Sequence, residues 1–184
     1  MARIRKAPFV HGQHLLFRDA AEADAAFIHA LRRDPVRARF LSAVPPDVEA
    51  QLAWLRGYAT DDSQAYFVIE AAGGGRLGTV RLYDAQGESF SWGSWLLKAG
   101  LPSRHAIESA LMVYHYGRWL GFKGAHFEVR RGNTSVRRFH ENFGASRVGE
   151  RDDHLQYRLA PSALDGALRR YQRFLPQGIR VADQ

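Results

Sequence analysis

The sequence predicts a single α/β domain in which helices flank a central sheet, and three observations support this. Residues 89–145 read as a strand, a tight loop, a long helix, a second strand and a second helix. A strand, two helices and two more strands precede this stretch, and two strands and a helix follow it. The chain has 184 residues, 46% of them hydrophobic, which suffices for one substantial core.

The strand that opens 89–145 is the clearest element. Between Phe90 and Leu97 its even-numbered and odd-numbered residues alternate, and we expect the two sets on opposite faces. Gly93 in mid-strand indicates a bulge or a ligand close to the backbone. The long helix that follows ends near Gly121. The other strands are predicted at 15–18, 65–71, 78–83, 125–129 and, as a pair, within 147–159, and the other helices at 21–35, 48–58, 134–143 and 162–174. The tail after Pro176 is expected to be loose.

The composition excludes several classes of function. The chain has no cysteine, which rules out disulfides, thiolate metal sites and a cysteine nucleophile, and we predict no metal site. No apolar run approaches the roughly 20 residues that span a bilayer. Gly12 and Gln13, with a histidine on either side, interrupt the basic start before it resembles a signal peptide. We therefore expect a cytoplasmic protein with no membrane partner.

The net charge of +7 suits a partner that carries phosphate, although scattered surface arginines account for much of it. Arginines do cluster within 130–138. The chain lacks long basic runs and RNA-binding signatures, so nucleic acid is not the expected partner. A nucleotide cofactor or a nucleotide-linked sugar fits the charge better.

Residues 133–145 carry a recognisable motif. They read Asn-Thr-Ser-Val-Arg-Arg-Phe-His-Glu-Asn-Phe-Gly-Ala, which resembles the Asn-x-x-Ala-x-x-x-Tyr-Glu-x-x-Gly-Phe signature of the GCN5-related N-acetyltransferases. The resemblance extends backwards over the strand, loop and helix and covers about 15–159. It implies one domain over 1–184 with a mixed, mostly antiparallel sheet of about seven strands and an extra C-terminal helix. It also implies acetyl transfer from acetyl-CoA to a primary amine.

The same resemblance implies where acetyl-CoA binds. In the family the pyrophosphate meets an Arg/Gln-x-x-Gly-x-Gly/Ala loop at the start of the long helix, where free N–H groups attract phosphate. Here that hexapeptide falls on 101–106 and only its last residue matches, so side-chain charge is expected to replace backbone contacts. The strand backbone is expected to bond the pantetheine arm, and the residue that begins the second helix serves as N-cap, cofactor contact or both. The expected binding residues are Trp95, Leu96, Leu97, Lys98, Ser103, Arg104, His105, Ala106 and Asn133.

Acyl transfer requires a proton for the leaving thiolate and stabilisation of an oxyanion. His140 stands where the family carries a tyrosine, and imidazole serves as an acid near neutral pH. The alternative is a histidine hydrogen-bonded on the helix flank. Backbone N–H groups near Leu96 are expected to stabilise the oxyanion. Arg81, Tyr83 and Trp92 are expected to face the acceptor cleft.

The base that deprotonates the amine is left open among several residues. Ser91 occupies the strand position where many relatives carry glutamate, and a serine does not act as a base unaided. Glu88 is the neighbouring carboxylate, and Asp84 and Glu70 are alternatives that act through water. A site without a base also suffices for an amine that is already neutral.

The acceptor is expected to be a small amine. Residues 78–84, 92–95 and 106–110 resemble relatives associated with surface-polysaccharide amino sugars, which implies a nucleotide-linked amino sugar. The alternatives are an N-acetyltransferase of protein N-termini or ribosomal proteins, and a binding protein that has lost catalysis. A homodimer is the oligomer considered.

Overall fold

The computed structural model describes residues 1–182, and within them nine strands form one sheet. The strands are β1 (Phe9–His11), β2 (Leu15–Asp19), β3 (Ala65–Ala71), β4 (Arg76–Gln86), β5 (Ser89–Leu97), β6 (Gly124–Arg130), β7 (Ser146–Arg151), β8 (His154–Leu159) and β9 (Arg180–Ala182). Their order across the sheet is β7-β8-β6-β5-β4-β3-β2-β1-β9.

Five α-helices accompany the sheet in the described part of the chain. They are α1 (Ala25–Arg33), α2 (Val48–Ala59), α3 (Ser103–Trp119), α4 (Thr134–Asn142) and α5 (Pro161–Arg170). Short 3₁₀ turns lie at Glu22–Asp24 and Gln172–Phe174. The second turn explains why the predicted helix 162–174 is observed as α5 followed by a break.

The predicted fold class is confirmed, with two strands more than expected. β1 and β9 have three residues each, too few for a period-two pattern to be recognised in the sequence. They pair with each other, so the tail after Pro176, which we expected to be loose, contributes a strand to the edge of the sheet.

One parallel pairing shapes the centre of the sheet. Every other neighbouring pair is antiparallel, whereas β5 and β6 run parallel and are joined by α3. They pair only at Ser89–Gly124 and Phe90–Ala125. Beyond these two pairs the strands separate, and a cleft opens towards their C-terminal ends.

The helices cover the two faces of the sheet unequally. α3, α4 and α5 pack on one face over the main core, and α1 and α2 cover part of the other over a smaller cluster that includes Ile28, Leu55 and Tyr66. α3 lies very close to β5, because a Cβ added at Gly117 would be 2.3 Å from the ring of Phe90. Glycine permits this approach.

Buried Glu108 ties α3 to the turn between β1 and β2. The residue is 1% exposed, and its Oε1 accepts hydrogen bonds from the backbone N–H groups of Gln13, His14 and Leu15 at 2.7–3.0 Å. This contact positions the N-terminal end of α3 against the sheet.

Candidate active site

The cleft between β5 and β6 is closed on its sides by aromatic residues. Trp92 and Trp95 of β5 face Phe127 of β6, and α4 contributes Val136 and His140. The loop between α1 and α2 reaches over the cleft with Phe40 and Leu41. A thin, largely apolar arm fits between such walls.

A β-bulge reshapes β5 within the cleft, as Gly93 indicated. The pairs Arg81–Gly93 and Thr79–Leu96 leave two residues of β5 opposite one of β4, and Ser94 takes a left-handed φ of 48°. Such an extra residue interrupts the alternation of side chains along a strand.

The two tryptophans of β5 therefore lie on the same face, and our expectation that they face opposite sides is wrong. The indole N–H of Trp92 donates to the hydroxyl of Tyr114 at 3.3 Å, and that of Trp95 donates to Ser109 Oγ at 3.1 Å. Both acceptors belong to α3. The bulge thus builds one aromatic wall from two residues that simple alternation would separate.

In the part of the chain that the structure describes, the backbone edge of β5 towards β6 has no strand partner after Phe90. The N–H of Lys98 donates to Leu77 O of β4 at 2.8 Å, so regular alternation turns the N–H of Leu97 to the free edge. Leu96 is buried, and Trp95 lines the cleft. Free N–H and C=O groups along this edge suit the amides of a pantetheine arm.

His140 lies at the end of the cleft in an aromatic cage and is 5% exposed. Its ring centroid is 4.1 Å from that of Phe127 and 5.2 Å from that of Trp92, and its Nδ1 has no hydrogen-bond partner among residues 1–182. Burial disfavours the imidazolium and lowers the pKa of His140 to about 3. The ring is therefore neutral at pH 7, a form that donates one N–H hydrogen bond but carries no charge.

Asn133 precedes α4 at the N-cap position, but its side chain does not cap the helix. It lines the cleft, and among residues 1–182 its Oδ1 accepts one hydrogen bond, a long one from Ser135 Oγ at 3.5 Å. The two roles expected for Asn133 were N-cap and cofactor contact. Because its side chain does not cap α4, its amide is available for a ligand.

The N-terminus of α3 provides backbone N–H groups with few competitors. Pro102 at the N-cap has no side-chain cap, and the first turn holds no acidic residue. Ser103 is exposed there, whereas the ammonium of Lys98, also exposed, lies 5.4 Å from the ring centroid of Phe27 in α1. This end is chemically open to an anion.

The side chains of Arg104 and His105 turn away from the cleft. Arg104 lines a small cavity with His14 and Glu108 near the turn between β1 and β2. Burial, and then the charge of Arg104, lower the pKa of His105. Ala106 follows them within α3. The structure thus brings Trp95, Asn133 and His140 together and leaves the predicted α3 side chains outside that cleft.

A second groove lies beside the cleft, on the sheet face away from α3. Tyr83 and Ser91 line it from β4 and β5, and polar side chains of β6, β7 and β8 complete it. Phe127 and Glu128 line both the groove and the cleft. The two cavities therefore meet at β6.

Glu128 is the carboxylate at this junction, and sequence reasoning missed it. Its Oε1 accepts hydrogen bonds from Arg151 at 3.0 Å and from Gln156 at 3.1 Å, and neither bond uses its second oxygen. The available signal was a charged residue between two apolar ones, Phe127 and Val129, in the strand that leads to Asn133.

The residues expected as base and acceptor contacts are spread over three places. Glu88 is exposed in the turn before β5, pairs with Lys123 at 2.6 Å and lies at the closed end of the strand pair, far from the opening of the cleft. Arg81 hydrogen-bonds Gln64 at 3.2 Å and stacks at 4.4 Å over Tyr83, on the α2 side of the sheet.

Trp92 is separated from Arg81 and Tyr83 by the sheet itself, because it is 4% exposed and packs under α3. Ser91, 4% exposed, lies in the groove with Tyr83. Arg81, Tyr83 and Trp92 therefore do not share one acceptor surface.

Comparison with known proteins identifies the family of the chain. A family model described as an acetyltransferase (GNAT) domain matches residues 14–146. The chain belongs to the GNAT acetyltransferases. Members of this family use acetyl-CoA, and this GNAT chain is an N-acetyltransferase that transfers acetyl to an amine. A search of curated proteins finds no match.

Solved GNAT structures resemble the chain over most of its length. FdhC, described as a nucleotide-linked sugar GNAT, is 34% identical, with 95% of this chain and 99% of FdhC covered and a TM-score of 0.78. A spermidine N-acetyltransferase from Vibrio cholerae, solved with CoA and spermine, is 16% identical, with 82% and 98% covered and a TM-score of 0.73. A GCN5-related N-acetyltransferase from Brucella melitensis is 17% identical, with 92% and 86% covered and a TM-score of 0.76.

Among the described residues of this GNAT chain, no helix combines the length and the apolar character needed to cross a bilayer.

Proposed function

We propose that the chain transfers the acetyl group of acetyl-CoA to the primary amine of a nucleotide-linked amino sugar. The observation that carries this proposal is the position of Glu128, where the cleft between β5 and β6 meets the polar groove. FdhC, described as a nucleotide-linked sugar GNAT, is 34% identical over nearly the whole chain and supports the same acceptor class. The cytoplasmic location and the homodimer expected from the sequence belong to this proposal.

The cleft suits acetyl-CoA, which supplies an acyl group activated as a thioester. The free edge of β5, which includes the N–H of Leu97, offers backbone hydrogen bonds to the pantetheine arm, whereas the backbone of Leu96 faces Thr79 of β4. The N–H groups from Ser103 onward, at the uncapped start of α3, offer a place for the pyrophosphate. The amide of Asn133 is available to the arm near α4.

The groove suits an acceptor that carries both an amine and phosphate. The second oxygen of Glu128 accepts a proton from the acceptor ammonium at the mouth of the cleft. Arg158 lines the same groove and forms no ion pair among residues 1–182. Its guanidinium, with its fork of N–H donors, suits a phosphate oxygen. Ser91 and Tyr83 form the floor of the groove.

His140 is placed to assist the leaving group while its own imidazole stays uncharged. A neutral imidazole N–H donates a hydrogen bond to sulfur as negative charge develops there. In this proposal, backbone N–H groups on the free edge of β5 beside Leu96 stabilise the oxyanion. Trp92 and Phe127 exclude water around this point.

Paired substitutions test the role of Glu128. We expect Glu128→Gln to lower turnover about 100-fold, the usual contribution of a general base, while affinity for acetyl-CoA stays unchanged. Glu88→Gln is the matched control, because Glu88 is an exposed carboxylate at the closed end of the strand pair. Steady-state kinetics and calorimetric titration with acetyl-CoA measure both quantities. Equal turnover in the two variants would contradict the role of Glu128.

A panel of amines tests the acceptor class. It contains a nucleotide-linked amino sugar, the corresponding free amino sugar, spermidine and a peptide with a free N-terminus. We expect the highest kcat/KM for the nucleotide-linked sugar, because only that acceptor offers phosphate to the groove. Preference for the peptide would instead support a protein N-acetyltransferase. Absence of acetyl-CoA binding would overturn the proposal as a whole.

A further inference from the structure

The side chain of Tyr83 in β4 reaches over the backbone of β5 at Gly93. Tyr83 pairs with Ser91, and its ring extends diagonally to the next residue on the same face. A Cβ added at Gly93 would be 3.1 Å from the Tyr83 hydroxyl and 3.5 Å from the nearest ring carbon. Because Gly93 lines the cleft between β5 and β6, the hydroxyl lies at the edge of that cleft, on the sheet face away from α3.

Glu128 lies at the same level on the opposite side of the opening. Gly93 and Glu128 each follow the last β5–β6 pair, Phe90–Ala125, by three residues. The two strands run in the same direction, so these residues lie opposite each other where the strands separate. An amine that passes from the groove into the cleft therefore has the Tyr83 hydroxyl on one side and the Glu128 carboxylate on the other.

A cation–π contact holds the ring of Tyr83 in this place. The guanidinium of Arg81 stacks over the ring, with its Cζ 4.4 Å from the ring centroid, and is itself held by a hydrogen bond to Oε1 of Gln64 at 3.2 Å. Neither contact involves the hydroxyl of Tyr83, which has no hydrogen-bond partner among residues 1–182. The ring is thus fixed while its polar end stays free.

Other polar side chains around the opening are already paired. Asp84 Oδ2 lies 3.1 Å from Nε2 of His126, and Ser89 Oγ lies 2.7 Å from Nδ1 of the same ring. One oxygen of Glu128 accepts hydrogen bonds from two neighbours on β7 and β8. The Tyr83 hydroxyl and the second oxygen of Glu128 therefore remain available to a ligand.

We propose that the Tyr83 hydroxyl hydrogen-bonds the hydroxyl group next to the amine of the acceptor sugar, and so selects amino sugars over simple amines. This inference rests on the proposed function, since it concerns the sugar ring behind the transferred amine. In an amino sugar a ring carbon beside the amine-bearing carbon carries a hydroxyl, which stays close to the nitrogen as the amine enters the opening. A phenol both donates and accepts, so it suits that hydroxyl in either orientation.

The selection follows from what each acceptor leaves unpaired. A polyamine has methylene groups beside its amine, so it would cover the Tyr83 hydroxyl without bonding it. A polar group that is removed from water without a partner costs free energy. An acceptor that lacks the neighbouring hydroxyl is therefore disfavoured even though its amine is the same.

The test gives the full-length chain two acceptors, a nucleotide-linked amino sugar and its deoxy analogue, in which hydrogen replaces the hydroxyl next to the amine. We expect Tyr83→Phe to lower the ratio of kcat/KM for the sugar to that for the analogue about 5- to 10-fold, the value of one hydrogen bond between uncharged groups. The KM for acetyl-CoA stays unchanged. A tyrosine with a purely structural role would instead change kcat/KM for both acceptors alike.

Tyr171→Phe is the matched control. The hydroxyl of Tyr171 donates to the backbone oxygen of Asn142 at 3.4 Å, and the residue lines neither the cleft nor the groove. We expect this variant to keep the wild-type ratio.

Gly93→Ala provides a second measurement. Gly93 has no left-handed φ, so its backbone accepts alanine, and the added Cβ would crowd the Tyr83 hydroxyl but only touch the ring. We expect this substitution to lower the same ratio on its own and to lower it no further in combination with Tyr83→Phe.

The outcomes separate the role of Tyr83 from the proposed function. A wild type that acetylates the nucleotide-linked sugar, with a ratio that Tyr83→Phe leaves unchanged, overturns the role of Tyr83 alone. A wild type that acetylates neither sugar overturns the proposed acceptor class and the role of Tyr83 with it.

Discussion

At the scale of single residues, burial determines the protonation state of His140. The spacing of seven residues from Asn133 places a histidine beside the cleft, but spacing carries no information on the cage formed by Trp92, Phe127 and Phe139. That cage keeps the imidazole neutral. The ring is therefore neutral where the motif led us to expect an acid, and the motif carries no sign of this burial.

Acid unfolding tests the state of His140. Its pKa of about 3 in the folded protein is below the ordinary 6.5, so the unfolded chain binds a proton more readily between these values. The contribution to stability is intact above pH 6.5 and is lost as the pH falls towards 3. We expect His140→Phe to lose less free energy of unfolding between pH 7 and pH 4.5 than the wild type, measured by urea denaturation. Equal losses would show that the ring is accessible to protons.

Glu88 and Glu128, at opposite ends of the β5–β6 pair, show that residue type alone does not tell which carboxylate lies at the cleft. Glu88 is a candidate base in the sequence because it precedes Ser91 by three residues, and Ser91 occupies the position where many relatives carry glutamate. The turn puts Glu88 in solvent beside Lys123, while the parallel partner strand brings Glu128 to the junction of cleft and groove. That juxtaposition depends on a contact between strands distant in sequence, which periodicity does not report.

At the scale of elements, the sequence predicts the order of helices and strands well because each carries a sustained pattern. The prediction fails where the backbone departs from a regular repeat. Gly93 indicated the bulge of β5, but the left-handed residue is its neighbour Ser94, so the faces of the following residues were reversed. Asp84 is a second such residue, and its sequence context gives no sign of it.

A pair of glycine substitutions tests the close packing of α3 on β5. Gly117→Ala places a methyl group 2.3 Å from the Phe90 ring, and we expect a loss of about 1–3 kcal/mol in the free energy of unfolding. Gly57→Ala in α2 meets no atom within 4 Å and should add about 0.5–1 kcal/mol, because alanine favours helix. Thermal unfolding of both variants measures the difference. Equal changes would mean that α3 is not held against Phe90.

At the scale of the whole molecule, the sequence predicts a mixed, mostly antiparallel sheet but not its full number of nine strands. β1 and β9 are defined by each other rather than by their own patterns, and β9 lies in the segment expected to be loose. Glu108 likewise reads as an ordinary helix residue in the sequence, although it is buried and holds the turn before Leu15. Long-range contacts fix these features.

Donor binding should stabilise the whole fold, because the cleft exists only in the folded chain. At a concentration 100 times the dissociation constant, acetyl-CoA adds about 2.7 kcal/mol to the free energy of unfolding. For a chain of this length that corresponds to a rise in Tm of about 5–10 °C, measured by calorimetry. ATP at the same concentration is the control, since it offers phosphate without a pantetheine arm. Equal rises with both ligands would indicate binding at the helix end alone.

The short pairing of β5 with β6, only two residue pairs long, also affects how the chain folds. On one side lies a run of antiparallel strands in which β2 to β5 follow in chain order, and on the other lie β6 and the β7–β8 hairpin. Hairpins close over short loops, whereas joining the two halves requires the crossover through α3. Because β5 and β6 share only two residue pairs, we expect the docking of α3 to be the step that joins the two halves during folding. We therefore expect substitutions that weaken the packing of α3 to slow folding more than substitutions in the β7–β8 hairpin.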